Sequence, residues 1–179
     1  MSKNIVVLSG SPRKNGNTEK LTAAFIVGAE SAGKNVTLFR VSDMKIGGCI
    51  GCRVCFSNKS ACVLNDDMTQ IVDALRKADV LVFTSPVYFF SVSAQLKAAI
   101  DRTFVLLKDK PPIKKAALLL TCGDESLSAA AGAVVTYNQI RDYMKWHDAG
   151  VIIATGLHDP DEIDGRCELN MASALGREI

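Results

Sequence analysis

Apolar residues along this chain fall into short runs, separated by longer stretches in which they recur every third or fourth position. The runs IVVLSG at 5–10, VTLFRV at 36–41, VLVFTSP at 80–86, AALLLTCG at 116–123 and VIIATG at 151–156 are rich in Val, Ile and Leu. They are too short for helices and too continuously apolar for a half-exposed sheet, so they predict strands buried on both faces. Between them, NTEKLTAAFIVGAESAG, DDMTQIVDALRKAD, SAQLKAAIDRTFVLLK and residues 126–147 open on polar residues and keep the helical spacing. DEIDGRCELNMASALGREI predicts a terminal helix. Asn17 or Thr18, Asp66 and Ser93 are the expected N-caps, because a side-chain oxygen there accepts a first-turn amide; Gly33 is the expected C-cap.

Strands alternating with helices predict an α/β fold, a doubly wound five-stranded parallel sheet in a three-layer α/β/α sandwich, since right-handed crossovers cover both faces. No repeat or linker divides the 179 residues, so residues 1–179 are expected to form one domain. Ligands of such sheets bind beyond the carboxyl ends of the strands. The loops after Leu8, Val41, Thr84 and Leu120 are therefore where function is expected.

Composition removes several classes. A hydrophobic fraction of 48% with 22% charged residues is globular, and 21 basic against 19 acidic residues, scattered along the chain, argue against a nucleic-acid or membrane surface. The apolar run from Ile5 is far too short for a signal peptide or spanning helix, which points to the cytoplasm. There, six cysteines read as thiols or metal ligands rather than disulfides. The only histidines, His147 and His158, come late and form no acyl-transfer set or HExxH pattern; each is expected to be a surface or satisfied histidine rather than a catalyst.

The loop SGSPRKNGNT at 9–18 brings hydroxyls, basic groups and free amides to a helix N-terminus, where partial positive charge favours an anion. It ends in neither the P-loop Gly-Lys-Ser/Thr nor the G-x-G-x-x-G fingerprint, and an ordinary polar turn is the competing reading. Residues 85–93, SPVYFFSVS, place three aromatics where a parallel sheet turns toward solvent, a surface suited to a planar ring.

Taken with Asp66-Asp67-Met68 after a Cys-Ile-Gly-Cys loop, these motifs resemble the flavodoxin-like NAD(P)H-dependent FMN reductase family along nearly the whole chain. The resemblance implies bound FMN, NAD(P)H as cosubstrate, and a flavin, quinone, other small molecule or redox protein as acceptor. It places Ser9, Ser11, Arg13, Asn17 and Thr18 at the FMN phosphate, with Pro12 fixing the entry of this FMN-binding loop and a nicotinamide cofactor's phosphate as the other target for Arg13, and it places Pro86, Val87, Tyr88 and Phe89 along the ring. Thr121, Cys122 and Gly123 belong to a third loop whose backbone faces the ring, with Cys122 as a space-filling small residue and a reactive thiol as the competing reading. No protein side chain is expected to be catalytic, because the flavin itself carries the hydride chemistry. Many members have a small residue or glycine where this chain has Phe90. A homodimer or homotetramer is implied, with Lys97, Asp101 and Arg102 in a structural role at the oligomer interface. An electron carrier and a flavin-free binding module on the same fold are the competing readings.

The series Cys49-x2-Cys52-x2-Cys55-x6-Cys62 follows the second strand. Thiolates are soft, charged donors, and a close run of this kind suits an iron-sulfur cluster better than zinc, which more often pairs two distant C-x2-C knuckles. The series resembles the iron-sulfur flavoproteins, which implies a [4Fe-4S] cluster on these four residues. Cluster-free relatives share the loop, so a second redox centre and a pocket wall both stay open.

Overall fold

Residues 5–10 were expected to be buried on both faces, and the computed structural model, which describes residues 2–57 and 61–179, shows how. Strand β1 (Asn4–Ser9) sends Ile5 and Val7 into one core and Val6 and Leu8 into another. The other strands are β2 (Asn35–Arg40), β3 (Val80–Tyr88), β4 (Ser91–Val92), β5 (Lys115–Thr121) and β6 (His147–Ala154). Five of them run parallel in the order β2-β1-β3-β5-β6, the doubly wound sheet expected from the alternation. The winding reverses at β1 and β3, so the loops after these strands face each other above the sheet.

Helices α1 (Asn17–Ser31) and α6 (Cys167–Glu178) cover the Ile5 face. They cross so closely that a Cβ on Gly28 would lie 2.0 Å from the Ser173 carbonyl oxygen, and one on Gly176 would lie 2.2 Å from that of Phe25. The Leu8 face is covered by α3 (Met68–Leu75), α4 (Ala94–Arg102) and α5 (Ala131–Met144). A one-turn helix, α2 (Val54–Ser57), lies within the cysteine loop; residues 58–60 of that loop are outside the described residues.

The departures from expectation are local. β6 starts at His147 instead of residue 151, because a bulge lets Ala116 pair with Asp148 and Ala117 with Gly150, and the polar residues that precede the apolar run hide its start. β4 was not expected; it folds back antiparallel on an extension of β3. The stretches at 93–108 and 126–147 each contain a 3-10 turn, Thr103–Leu106 and Leu127–Ala130, beside a shorter α-helix. Ser93 caps α4 as expected, its Oγ accepting from the Leu96 amide at 3.3 Å. The α1 N-cap is Gly16, not Asn17 or Thr18, because both of those side chains are committed elsewhere. Asp67 precedes α3, although Asp66 still accepts from the Met68 amide at 3.2 Å. Gly33 takes the left-handed position just past α1 with φ of 73°, as a C-capping glycine does.

Candidate functional site

The first loop is laid against β3 and α4 by bonds that leave its outer face free. The Gly10 amide donates to the Thr84 carbonyl at 2.8 Å, and the Ser93 hydroxyl donates to the Gly10 carbonyl at 2.8 Å. Ser42, beyond β2, donates to the Ser11 carbonyl at 2.7 Å. Beyond these anchors the chain turns through Asn15, at φ of 57°, into Gly16 and α1. Among the described residues no side chain caps α1, and Gly16, Asn17 and Thr18 at its start line the space above the loop, where the helix dipole adds positive potential. Arg13 and Lys14 are exposed beside them. Behind this rim the Thr18 hydroxyl meets that of Thr121 at 2.6 Å, tying α1 to the end of β5, and Thr22 donates to the Thr84 hydroxyl at 2.9 Å, tying it to β3.

The second loop is a hairpin. Val87 pairs with Val92 and Tyr88 with Ser91, which leaves Phe89 and Phe90 as a two-residue turn. Both have positive φ, 47° and 67°, the signature of a turn that normally takes Asn-Gly or Gly-Gly. This accounts for the small residue or glycine that the resemblance led one to expect at position 90: the backbone there disfavours a Cβ. Replacing Phe90 with Gly is expected to raise stability by about 1 kcal/mol by removing left-handed strain, measured by urea denaturation.

A cavity of about 240 Å³ lies between these loops at the carboxyl edge of the sheet. Ser11, Arg13, Asn17 and Thr18 line it from the first loop, Pro86, Val87 and Tyr88 from the second, and Thr121 and Gly123 from the third. Four expected residues are not in its wall. Ser9 is buried at the end of β1, Pro12 turns outward, and Phe89 projects 96% exposed from the hairpin tip. Cys122 is buried, held by its amide to Ala154 and its carbonyl to Leu157, so its side chain belongs to the packing behind the third loop.

Sequence reading missed Gly16, Leu157 and His158, which complete the wall. His158 is exposed, as expected, yet its ring abuts Gly123, where an added Cβ would lie 3.3 Å from Nδ1. Glu162 accepts from the His158 amide at 2.6 Å, and Asn17 donates to the Asp159 carbonyl at 2.8 Å, so this segment is tied to the first loop. The signal available was topological, since the loop after β6 also opens at the carboxyl edge.

The cysteine loop leaves the sheet after β2 and returns at α3, and its base is closed by two aspartates. Asp67 accepts from the Lys45 amide at 2.7 Å and Asp66 from the Gly47 amide at 3.0 Å. Arg102, at the end of α4, reaches under the loop: Nη1 donates to Asp66 at 2.7 Å and to the Gly47 carbonyl at 2.8 Å, and Nη2 donates to Asp66 at 2.9 Å. Its side chain is only 2% exposed. Arg102 therefore faces inward and not toward an oligomer surface, while Lys97 and Asp101 form an exposed pair at 2.7 Å. The guanidinium holds the Asp66 carboxyl below the usual carboxylate range, against the cost of desolvation.

Cys49, Cys52, Cys55 and Cys62 line one small cavity of about 30 Å³ together with Arg102 and Phe104. Burial pushes the Cys55 thiol up. Among the described residues no three His, Cys, Asp or Glu side chains converge on a point that could hold a metal ion. The expected ligand set is thus gathered around one cavity without forming a single-ion site. Among the described residues, no helix is long and apolar enough to cross a membrane.

Residues 3–157 match the model of the NADPH-dependent FMN reductase family. An iron-sulfur flavoprotein of Methanosarcina thermophila is 33% identical over 150 residues, covering 83% of this chain and 75% of its own. Another, from Methanocaldococcus jannaschii, is 31% identical over 156 residues, covering 87% and 77%. The solved structure of an NAD(P)H:quinone oxidoreductase from Methanothermobacter marburgensis superposes with a TM-score of 0.79 over 99% of this chain and 96% of that one, at 20% identity. That likeness speaks to the fold, and the family match and the two relatives speak to descent. With a flavodoxin-like sheet and a loop-lined cavity at its carboxyl edge, the chain belongs to the NADPH-dependent FMN reductase family.

Proposed function

We propose that the chain draws electrons from NADH or NADPH through FMN held in the 240 Å³ cavity and delivers them to a small planar acceptor, a quinone or a free flavin. The observation that carries this reading is the meeting, in one cavity, of an uncapped helix N-terminus flanked by Arg13 with an apolar wall of Pro86, Val87 and Tyr88. The first part fits a phosphate dianion and the second a flat ring, which is the donor set FMN requires. When bound, FMN supplies hydride acceptance and onward electron transfer. The protein's part is to hold the phosphate on the α1 amides and Arg13, to wall one side of the ring with Pro86 and Val87, and to leave an entrance beside the exposed Tyr88.

Purified protein supplied with FMN is expected to consume NADH or NADPH when a benzoquinone is added. Arg13→Ala should weaken FMN binding roughly tenfold, read by quenching of flavin fluorescence. FMN binding without dinucleotide oxidation would favour an electron carrier, and a colourless protein that takes up no FMN would defeat the proposal.

A second reading is that electrons leave through a [4Fe-4S] cluster on Cys49, Cys52, Cys55 and Cys62. The gathering of all four thiols on one cavity wall favours it, as do relatives that carry the name iron-sulfur flavoprotein. A cluster takes one thiolate per iron, so its ligands surround a space instead of converging on one ion. The donors fit, whereas the 30 Å³ space requires the exposed loop to widen. Iron and acid-labile sulfide analysis after anaerobic handling decides between four irons per chain and none.

A further inference from the structure

Arg102 is the most completely buried charge at the cysteine loop, and one of its donors is unused. Its two Nη atoms are taken by Asp66, with Gly47 beside Nη1 and Leu64 at 3.4 Å from Nη2. Nε is buried and has no hydrogen-bond partner among the described residues. A buried N–H without an acceptor is rare in native proteins and marks a site where one is supplied by something else. The same side chain forms part of the cavity wall that carries the four cysteines. Other polar groups near the base of the loop have partners: Asp66 and Asp67 accept amides, Lys97 pairs with Asp101, and Lys108 donates to the Phe56 carbonyl at 2.8 Å.

As ligands of a cluster, four sulfurs on one short loop would carry negative charge that a nearby cation offsets. Asp66 fixes the guanidinium in a bidentate grip from the side away from Nε, which leaves that donor preorganised. Of the cavity sulfurs, that of Cys62 lies near enough to stabilise the Arg102 charge, after the larger effect of Asp66. We propose that Arg102 is the positioning residue of the cysteine cavity, its free Nε–H donating to the sulfur of Cys62 when that cavity carries a cluster. The inference rests on the second reading above, in which the cavity carries charged sulfur. Its consequence for a cluster follows from sign alone: a donor and a positive charge beside a ligand sulfur favour the reduced, more negative state.

The test uses protein reconstituted anaerobically with iron and sulfide, and a redox titration followed by electron paramagnetic resonance. Arg102→Gln is expected to lower the cluster's reduction potential, to leave that of FMN unchanged, and to speed loss of iron to a chelator by roughly tenfold or more. Arg102→Lys, which keeps the charge but lacks the planar fork, should fall between the two. FMN content and far-ultraviolet circular dichroism report whether each variant is folded. A purely structural Arg102 would shift the melting temperature while leaving the cluster potential of folded variants at the wild-type value, and that result overturns the proposal while the cluster reading stands. Wild-type protein that takes up no iron overturns the cluster reading, and the proposal with it.

Discussion

Asp66→Ala is expected to destabilise the protein by about 3–5 kcal/mol, because it leaves the Arg102 guanidinium buried without a counter-charge. The loss is larger than that of a surface ion pair for a geometric reason. Asp66 also accepts the Gly47 and Met68 amides, so its removal unpairs a cation and two backbone donors together and releases the base of the cysteine loop. Urea denaturation at neutral pH measures it. The wild type should reproduce part of the loss in acid. The Asp66 pKa is lowered in the folded state, so its contribution is fully present above its unfolded value, near 3.8, and disappears as pH falls through the lower folded value. The variant should lack this component of acid sensitivity, so its denaturation midpoint should change less than that of the wild type on going below pH ~3.8. Equal acid sensitivity in the two proteins would show that the Asp66 and Arg102 pair does not hold the loop.

The second large effect is expected at Gly10. A Cβ there would stand 2.4 Å from the Ser93 Oγ and 2.6 Å from the Leu96 Cβ, closer than any packed side chain tolerates. Gly10→Ala must therefore lift the first loop from α4, breaking the bond from Ser93 to the Gly10 carbonyl and displacing the anion-facing segment that follows. Overpacking of this kind costs about 1–3 kcal/mol, and much of it should appear in ligand affinity if, as proposed above, the strained segment is the one that meets the phosphate. FMN affinity should drop by roughly 10- to 100-fold. Isothermal titration with FMN checks this, and an unchanged affinity in a folded variant would place the phosphate elsewhere.

The sheet was legible because burial on both faces writes itself as continuous apolar runs; Ile5 to Leu8 and Leu118 to Leu120 could hardly be read otherwise. The ends of elements were harder to read, since they depend on partners distant in sequence. Nothing near His147 announces that a bulge lets a strand begin there. Asn17 has the composition of a cap, yet its amide bonds to Asp159, far along the chain. Much of the cavity wall could be named because loops after parallel strands must face it. His158 was overlooked because a lone histidine carries no spacing pattern, and Arg102 was assigned to a surface because its partner, Asp66, lies 36 positions away. Contacts of that range are made by the fold and leave no local trace.

Helix α4 ties these two sites to each other. Its cap residue, Ser93, grips the first loop through Gly10, and its last residue, Arg102, grips the cysteine loop through Asp66. Nine residues separate the two grips, a rise of about 13 Å along the axis. The helix thus acts as a spacer of fixed length and phase. Deleting or inserting one residue within it would shift the far end by only about 1.5 Å but would rotate Arg102 by about 100°, out from under the loop. In relatives that keep both grips, α4 is expected to change in length only by about whole turns.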